Sequence, residues 1–209
     1  NYIIEEMKVA SIIPFTILLL AGCQSAFQGV NPAENGVIHK AANAGDLEAV
    51  RDYLKNGVDV NSKYFLPGEK PPTHNLGTPL LFAVEGGNIQ IVELLLEKGA
   101  DVNAKNIVQV TPLLSGVDLN NYGIVKLLIS HGADLNAQTE TGTSPLHNAA
   151  IYGRNRILKL LVEHGANVNI RARYGKTPLD EAIKYKQTAV VQILRKHGAI
   201  TGEQLDSGK

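Results

Sequence analysis

The chain has 209 residues, of which 44% are hydrophobic and 19% are charged, and its formal net charge is zero. This composition is typical of a folded domain and excludes an intrinsically disordered chain. The length allows one domain and a targeting segment. Aromatic residues make up 5% and Trp is absent, so the core has to be built from Leu, Ile, Val and Ala.

The charges are unevenly spread along the sequence. Residues 23–140 carry 8 Lys or Arg and 13 Asp or Glu, a balance of −5, whereas residues 144–197 carry 10 and 3, a balance of +7. Such a layout can steer and orient a partner of matching polarity. A solvated surface that merely happens to be uneven is an equal alternative.

The N-terminal segment has the pattern of an export signal. Residues 9–20 form an almost uninterrupted apolar run, which is shorter than the ~20 residues of a membrane span and typical of a signal-peptide core. Lys8 supplies the positive charge that precedes such a core. Acidic residues before Met7 do not fit this pattern, so we expect translation to begin at Met7 and residues 1–6 to be artefactual.

The apolar run ends in Leu20-Ala21-Gly22-Cys23, and Cys23 is the only cysteine of the chain. These four residues resemble the lipobox of bacterial lipoproteins, in which the cysteine is lipidated and the chain is cut just before it. The resemblance implies a signal peptide at 1–22, a lipidated Cys23 with a tether at 23–34, and a membrane anchor in the bacterial cell envelope. Gln24 after the cysteine, in place of Asp, implies the outer membrane, with the protein facing the periplasm.

Two markers repeat in phase through the remaining sequence. Thr-Pro-Leu or Ser-Pro-Leu begins at residues 78, 111, 144 and 177, and Gly-Ala begins at residues 99, 132, 165 and 198, always in steps of 33. A Ser or Thr before Pro predicts the start of one helix, and the Gly predicts the left-handed end of a second. Repeated units of this length indicate a solenoid.

These markers resemble ankyrin repeats over residues 35–201. The resemblance implies an all-α solenoid of five helix-turn-helix repeats with short β-hairpin loops, at about 35–75, 76–108, 109–141, 142–174 and 175–201, followed by a C-terminal tail at 202–209. In the first repeat, nine extra residues are inserted within 64–75. Asn120 in the third repeat stands where Gly is usual, which suggests a looser joint.

The resemblance also implies a binding surface, because ankyrin repeats usually hold partners on the concave face made by the hairpin tips and the first helices. The positions in phase with that face are Ile107, Val108, Val110, Leu119, Glu140, Ile151, Tyr152, Arg173, Tyr174, Lys176, Lys184 and Tyr185. Tyr and Arg are enriched at binding hot spots. In the alternative, the aliphatic residues pack the hairpins and the Tyr rings lie on neighbouring repeats.

The insertion offers a second candidate surface at Tyr64, Phe65 and Leu66. These residues lead into a Pro-rich stretch that lengthens the hairpin between the first two repeats. They either contact a partner or pack down on the first repeat, and the sequence does not decide between the two.

No catalytic, metal or cofactor site is predicted. His131, His164 and His197 recur at steps of 33, so they are a full repeat apart, whereas zinc ligands converge within ~2.0–2.1 Å of one ion. Each precedes a helix-ending Gly, where a cationic side chain suits the helix dipole. We expect them to cap helices.

The function expected from these features is that of a monomeric, protein-binding lipoprotein that captures its partner on the concave face. One version is an immunity or inhibitor protein against a secreted toxic enzyme. The alternative is a periplasmic adaptor for an envelope enzyme, for example in oxidative-stress defence, and a host-directed ankyrin effector is a remote third. Basic residues near Tyr174 and Tyr185 raise nucleic acid as a partner, which export from the cell argues against.

Overall fold

The computed structural model describes residues 36–65 and 75–208. The predicted signal peptide and tether, including Cys23, and Leu66 of the insertion lie outside these residues. The helices are α1 (Val37–Ala44), α2 (Leu47–Lys55), α3 (Pro79–Glu85), α4 (Ile89–Glu97), α5 (Pro112–Asp118), α6 (Tyr122–Ser130), α7 (Pro145–Ile151), α8 (Asn155–Glu163), α9 (Pro178–Lys184), α10 (Thr188–Lys196) and α11 (Gly202–Ser207). The strands are β1 (Tyr64–Phe65) and β2 (Asn75–Gly77), and residues 173–175 form one turn of 3₁₀ helix.

The first ten helices form five antiparallel pairs arranged in two layers. We call α1, α3, α5, α7 and α9 the inner helices and α2, α4, α6, α8 and α10 the outer helices. Each inner helix packs on the next inner helix, and each outer helix on the next outer helix. This stack of helix pairs confirms the predicted all-α solenoid.

Four of the inner helices begin at the predicted Pro, which occupies their first turn. The hydroxyl oxygen of Thr111 accepts a hydrogen bond from the backbone N–H of Leu114 at 3.3 Å, and Ser144 and Thr177 cap α7 and α9 in the same way. Thr78 makes no such bond to α3. Capping therefore fixes where three of these helices start.

The core is a continuous column of aliphatic side chains. The Leu of each Thr-Pro-Leu or Ser-Pro-Leu marker is at most 1% exposed, and these residues are Leu80, Leu113, Leu146 and Leu179. Ile, Val and Leu residues of the outer helices face them from the second layer. Because each repeat covers its neighbour's apolar side, the repeats stabilise one another.

The turn between the two helices of each pair contains a residue in the left-handed conformation. In the five pairs this residue is Gly45, Gly87, Asn120, Gly153 and Lys186, with φ between 56° and 81°. A side chain makes this conformation costly. Lys186 therefore strains the turn of the fifth repeat, and Asn120, a residue type that tolerates this conformation better, strains the turn of the third repeat less.

A second set of contacts joins neighbouring repeats at the turns that follow the outer helices. The side-chain oxygen of Asn103 accepts a hydrogen bond from the backbone N–H of Asp134, in the next repeat, at 2.8 Å, and its Nδ2 donates to the carbonyl of Gly132 at 3.3 Å. We call the equivalent residues the asparagine ladder, and they are Asn61, Asn103, Asn136 and Asn169. The ladder gives the outer edge of the stack directional bonds as well as apolar packing.

The insertion in the first repeat extends a hairpin. Strands β1 and β2 pair antiparallel, with Tyr64 opposite Gly77, and residues 66–74 between them lie outside the described part. The Tyr64 ring is tilted against His39, at 5.5 Å between ring centroids, and meets Phe82 edge to face at 5.6 Å. Tyr64 thus packs on both of the first two repeats.

The end of the stack is closed by α11, within the segment that the sequence suggested to be a tail. The backbone N–H of Gly202 donates to Asp180 Oδ2 at 2.8 Å, and the Thr177 hydroxyl donates to the carbonyl of Ile200 at 3.0 Å. Arg171 Nη2 pairs with Asp206 Oδ1 at 2.8 Å. The bonds to Gly202 and Asp206 hold α11 on the end of the stack, and the Thr177 bond fixes the segment that leads into α11.

Candidate protein-binding site

Three exposed apolar side chains stand at equivalent positions of successive repeats. Leu119, Tyr152 and Tyr185 directly follow helices α5, α7 and α9, and they are 45%, 42% and 47% exposed. We call these three residues the apolar row. Large apolar side chains that remain exposed next to one another mark contact surfaces rather than ordinary solvated ones.

Tyr152 is the central member of this row and is held by its neighbours. The Arg154 guanidinium lies 5.7 Å from the Tyr152 ring centroid and donates through Nη2 to the carbonyl of Asp118 at 3.3 Å. Burial raises the pKa of the Tyr152 hydroxyl, and the nearby Asp118 and Tyr185 raise it further. Asp118, Tyr152 and Tyr185 therefore form one continuous patch across three repeats.

Two carboxyl groups occupy equivalent positions at the ends of α3 and α5. Burial raises the pKa of Glu85 to about 7. Burial of the carboxyl group also raises the pKa of Asp118 to about 6, although part of the residue is exposed. The 2.6 Å hydrogen bond from Asn148 Nδ2 and the charge of Arg154 act in the opposite direction and lower this pKa. Within residues 36–65 and 75–208, neither carboxylate makes an ion pair with Lys or Arg. We call Glu85 and Asp118 the acidic pair.

The opposite end of the same face is basic. Lys184 occupies the position that Asp118 and Ile151 occupy in the two preceding repeats. Its Nζ lies 3.6 Å from Glu181 Oε2 and 4.9 Å from the Tyr185 ring centroid. Arg173, Lys176 and Lys186 are also exposed. We call Arg173, Lys176, Lys184 and Lys186 the basic end, and it places four cations in the fifth repeat and the turn that precedes it.

Tyr174 is the most exposed large apolar residue of the described part. It is 88% exposed at the tip of the turn before α9, and its φ of 61° lies in the left-handed region. The Arg173 guanidinium lies 5.7 Å from its ring centroid. A bulky residue in this conformation is uncommon and indicates a position with a role beyond packing.

The remaining predicted positions vary in exposure. Val108 and Glu140 are exposed, whereas Ile107, Val110 and Ile151 are half-buried. The backbone N–H of Val110 donates to Asn106 Oδ1 at 2.9 Å, which ties it into the hairpin. Ile107, Val110 and Ile151 thus have less surface to offer a partner than the apolar row has.

The second predicted surface is partly occupied by internal packing. Tyr64 belongs to the aromatic contacts with His39 and Phe82, and both Tyr64 and Phe65 are half-buried. Leu66 lies outside the described residues. The interpretation in which this segment packs on the first repeat therefore holds for Tyr64.

The periodic His residues cap the outer helices, as their position before the helix-ending Gly predicted. Nδ1 of His131 lies 2.9 Å from the carbonyl of Leu127, four residues earlier, and His164 and His197 make the same bond at 2.8 Å. His147 caps α7 through Ser144, and burial lowers its pKa. In the part of the chain that the structure describes, no three His, Cys, Asp or Glu side chains are grouped so as to hold a metal ion.

Sequence reasoning did not single out Glu85 or Arg154 as members of this face. Glu85 lies 33 residues before Asp118, so the repeat period itself could have identified it. The position of Arg154 at the start of an outer helix gave no such signal. Its reach back to the preceding repeat depends on how closely the repeats stack.

The fold and this face define a helical-repeat scaffold whose exposed side chains are arranged for contact with another macromolecule. The family model described as "Ankyrin repeats (3 copies)" matches residues 15–106, 38–139 and 113–204. The chain belongs to the ankyrin-repeat family. Ankyrin repeats imply a protein-binding role, and proteins of this family are typically interaction scaffolds without enzymatic activity.

A curated relative supports the same family. Over 78 residues the chain is 32% identical to the ankyrin repeat, SAM and basic leucine zipper domain-containing protein 1 of Carollia perspicillata. The match covers 36% of this chain and 14% of that protein. The chain therefore spans about one seventh of the relative's length, and the similarity concerns the repeats.

Proposed function

We propose that this protein is a lipoprotein of the bacterial cell envelope that captures a partner protein and inhibits it. The partner would bind the face that carries the acidic pair, the apolar row and the basic end, which we call the inner-helix face. The observation that carries the binding role is the exposed apolar row, with Tyr152 and Tyr185 beside Arg and Lys side chains. Such residues supply most of the energy of protein interfaces. Inhibition follows naturally from occupancy, because a rigid scaffold that covers a partner's surface blocks access to it.

The lipid anchor is supported by the sequence Leu20-Ala21-Gly22-Cys23 and by the uniqueness of Cys23. No helix in residues 36–65 and 75–208 has the length and apolar character needed to span a bilayer. Acyl chains on one residue bind a membrane with ~0.8 kcal/mol per buried methylene. Metabolic labelling with a fatty-acid probe should mark the wild-type protein in membranes, and Cys23→Ser should abolish the label. A label that survives this substitution refutes the anchor.

The binding face is tested with Tyr152→Glu and Tyr174→Glu, which place charges where a partner would bury rings. Both residues are exposed, so partner capture should be lost without a change in melting temperature. Ile183→Glu is the matched control, because Ile183 is 45% exposed and occupies the position at which Val84, Val117 and Ala150 are buried by a following repeat. If the variants lose binding and their melting temperature also falls, the Tyr residues belong to the folded core and not to a binding surface.

The inhibitory role is tested on secreted enzymes encoded beside the gene. Purified protein should suppress the toxicity of such an enzyme in cells, and the Tyr152→Glu variant should fail to do so. If a neighbouring enzyme co-purifies with the protein and stays fully active, the protein is an adaptor instead. If deletion of the gene is harmless in the presence of every neighbouring effector, the immunity role is refuted.

A further inference from the structure

The inner-helix face carries a gradient of charge along the stack. Four of the five inner helices, α3, α5, α7 and α9, end in Glu85, Asp118, Ile151 and Lys184. Acidic groups thus occupy the second and third repeats, an apolar residue the fourth, and a cation the fifth. The residues of the apolar row come directly after Asp118, Ile151 and Lys184 in the sequence. The apolar row therefore runs along the stack in the same direction as the charge gradient.

We propose that this face accepts an extended segment of the partner protein that places a cationic side chain over the acidic pair and an anionic side chain over the basic end, with apolar side chains between them on the apolar row. The inference rests on the proposed function, because it names the chemistry of the partner that the same face would capture. It goes beyond that function by fixing which charge lies at which end.

The case for a partner cation comes from the surroundings of the acidic pair. Glu85 is half-buried and makes no ion pair with Lys or Arg within the described residues, and burial raises its pKa. Asp118 has the hydrogen bond from Asn148 and the charge of Arg154 nearby, yet within the described residues its carboxylate makes no ion pair with Lys or Arg. A Lys or Arg of a partner would place a positive charge beside Glu85, add to that of Arg154 beside Asp118, and stabilise both carboxylates.

The case for a partner anion comes from the excess of cations at the basic end. Of these four residues, Lys184 makes an ion pair, with Glu181, within the described part of the chain. Arg173, Lys176 and Lys186 are exposed around Tyr174 and Tyr185. Asp or Glu side chains of a partner would meet several cations there, and like charges would be repelled.

The length of the partner segment follows from the spacing of the helices. Neighbouring packed helices lie about 8–10 Å apart, so three steps from Glu85 to Lys184 span roughly 24–30 Å. An extended chain rises about 3.3 Å per residue and covers this span with roughly 7–9 residues. The apolar row lies within that span, at the third to fifth repeats.

The test uses a displayed library of random 12-residue peptides, selected against the purified protein. Enriched peptides should carry Arg or Lys toward one end and Asp or Glu toward the other, with apolar residues between. Peptides selected against the double variant Glu85→Gln/Asp118→Asn should no longer be enriched in Arg and Lys but should still be enriched in Asp and Glu. Peptides selected against Lys176→Gln/Lys184→Gln should show the reverse. An individual bipolar peptide should bind each double variant about tenfold more weakly, and circular dichroism should show that each variant is folded.

Controls separate this inference from the proposed function. If the peptides need Tyr152 and Tyr185 but show no pattern of charge, or if neutralising either end changes nothing, the bipolar partner is refuted and protein capture stands. If the selected peptides bind Tyr152→Glu and Tyr185→Glu as well as the wild type, or if no peptide depends on this face, both proposals fail.

Discussion

Glu85 offers a quantitative test of how the inner-helix face is built. Its pKa is raised by burial from 4.5 to about 7, so the folded protein holds a proton that the unfolded chain releases. The contribution of Glu85 to stability should therefore fall as the pH rises from about 4.5 through about 7, and the loss of that contribution should be complete above this range. A pKa that rises from 4.5 to about 7, at 1.36 kcal/mol per pH unit, corresponds to about 3 kcal/mol of stability.

The perturbation is Glu85→Gln, which keeps the shape of the protonated side chain and cannot ionise. We expect the variant to be more stable than wild type by about 3 kcal/mol at pH 8 and by less than about 1 kcal/mol at pH 5. Unfolding in urea, followed by circular dichroism at both pH values, measures this difference, and the slope against urea should be unchanged. Effects of the His residues cancel in the comparison because both proteins contain them.

Glu93→Gln is the matched control, since it makes the same chemical change at an exposed position of α4. Its stability relative to wild type should be the same at both pH values. If the difference between Glu85→Gln and wild type is also constant from pH 5 to pH 8, burial does not oppose the ionisation of Glu85. The acidic pair would then have no need of a partner cation.

Three further predictions concern the stack itself. Lys186→Gly should stabilise the protein by about 1 kcal/mol in urea unfolding and Asn120→Gly by less, because Gly relieves the left-handed turn and Asn tolerates it better than Lys, whereas Gly153→Ala should destabilise it; unchanged stability in Lys186→Gly would show that this turn is not strained. Asn136→Ala should lower the free energy of unfolding by about 1 kcal/mol, because it removes the 2.8 Å hydrogen bond from the backbone N–H of Asn167. Asn155 is exposed, so Asn155→Ala should lower it less. Equal losses in the two variants would exclude a stabilising role for the asparagine ladder. Burial lowers the pKa of His39 to about 4, so the contribution of His39 to stability should fall by up to about 3 kcal/mol as the pH falls from 6.5 to 4, opposite to the trend from Glu85; the stability of wild type relative to His39→Leu should therefore decrease by that amount across this range, and a constant difference would show that burial does not oppose the protonation of His39.

The sequence predicted those parts of the fold that depend on local chemistry. The Thr-Pro-Leu and Gly-Ala markers placed the starts of α3, α5 and α9 and the ends of the outer helices, because caps and left-handed residues act within a few positions of where they stand. The period of 33 then identified Leu119, Tyr152 and Tyr185 as equivalent. Their exposure became known only from the structure.

Features that arise between repeats were harder to predict. The burial of Glu85 and the reach of Arg154 depend on how closely one inner helix lies on the next, which a pattern of residue types does not encode. The asparagine ladder was visible as recurring Asn, and yet its bonds to the following repeat required the stack. The helix at Gly202–Ser207 was missed because it lacks the period of the repeats.

Helix α11 limits how this protein can be lengthened. A further repeat added after Ile200 would have to compete with α11 for Asp180 and Arg171, both of which α11 already engages. A duplicate of residues 142–174 placed between the fourth and fifth repeats would instead meet matching surfaces on both sides. Growth of the array, by evolution or by engineering, is therefore favoured in its interior and opposed at its C-terminal end.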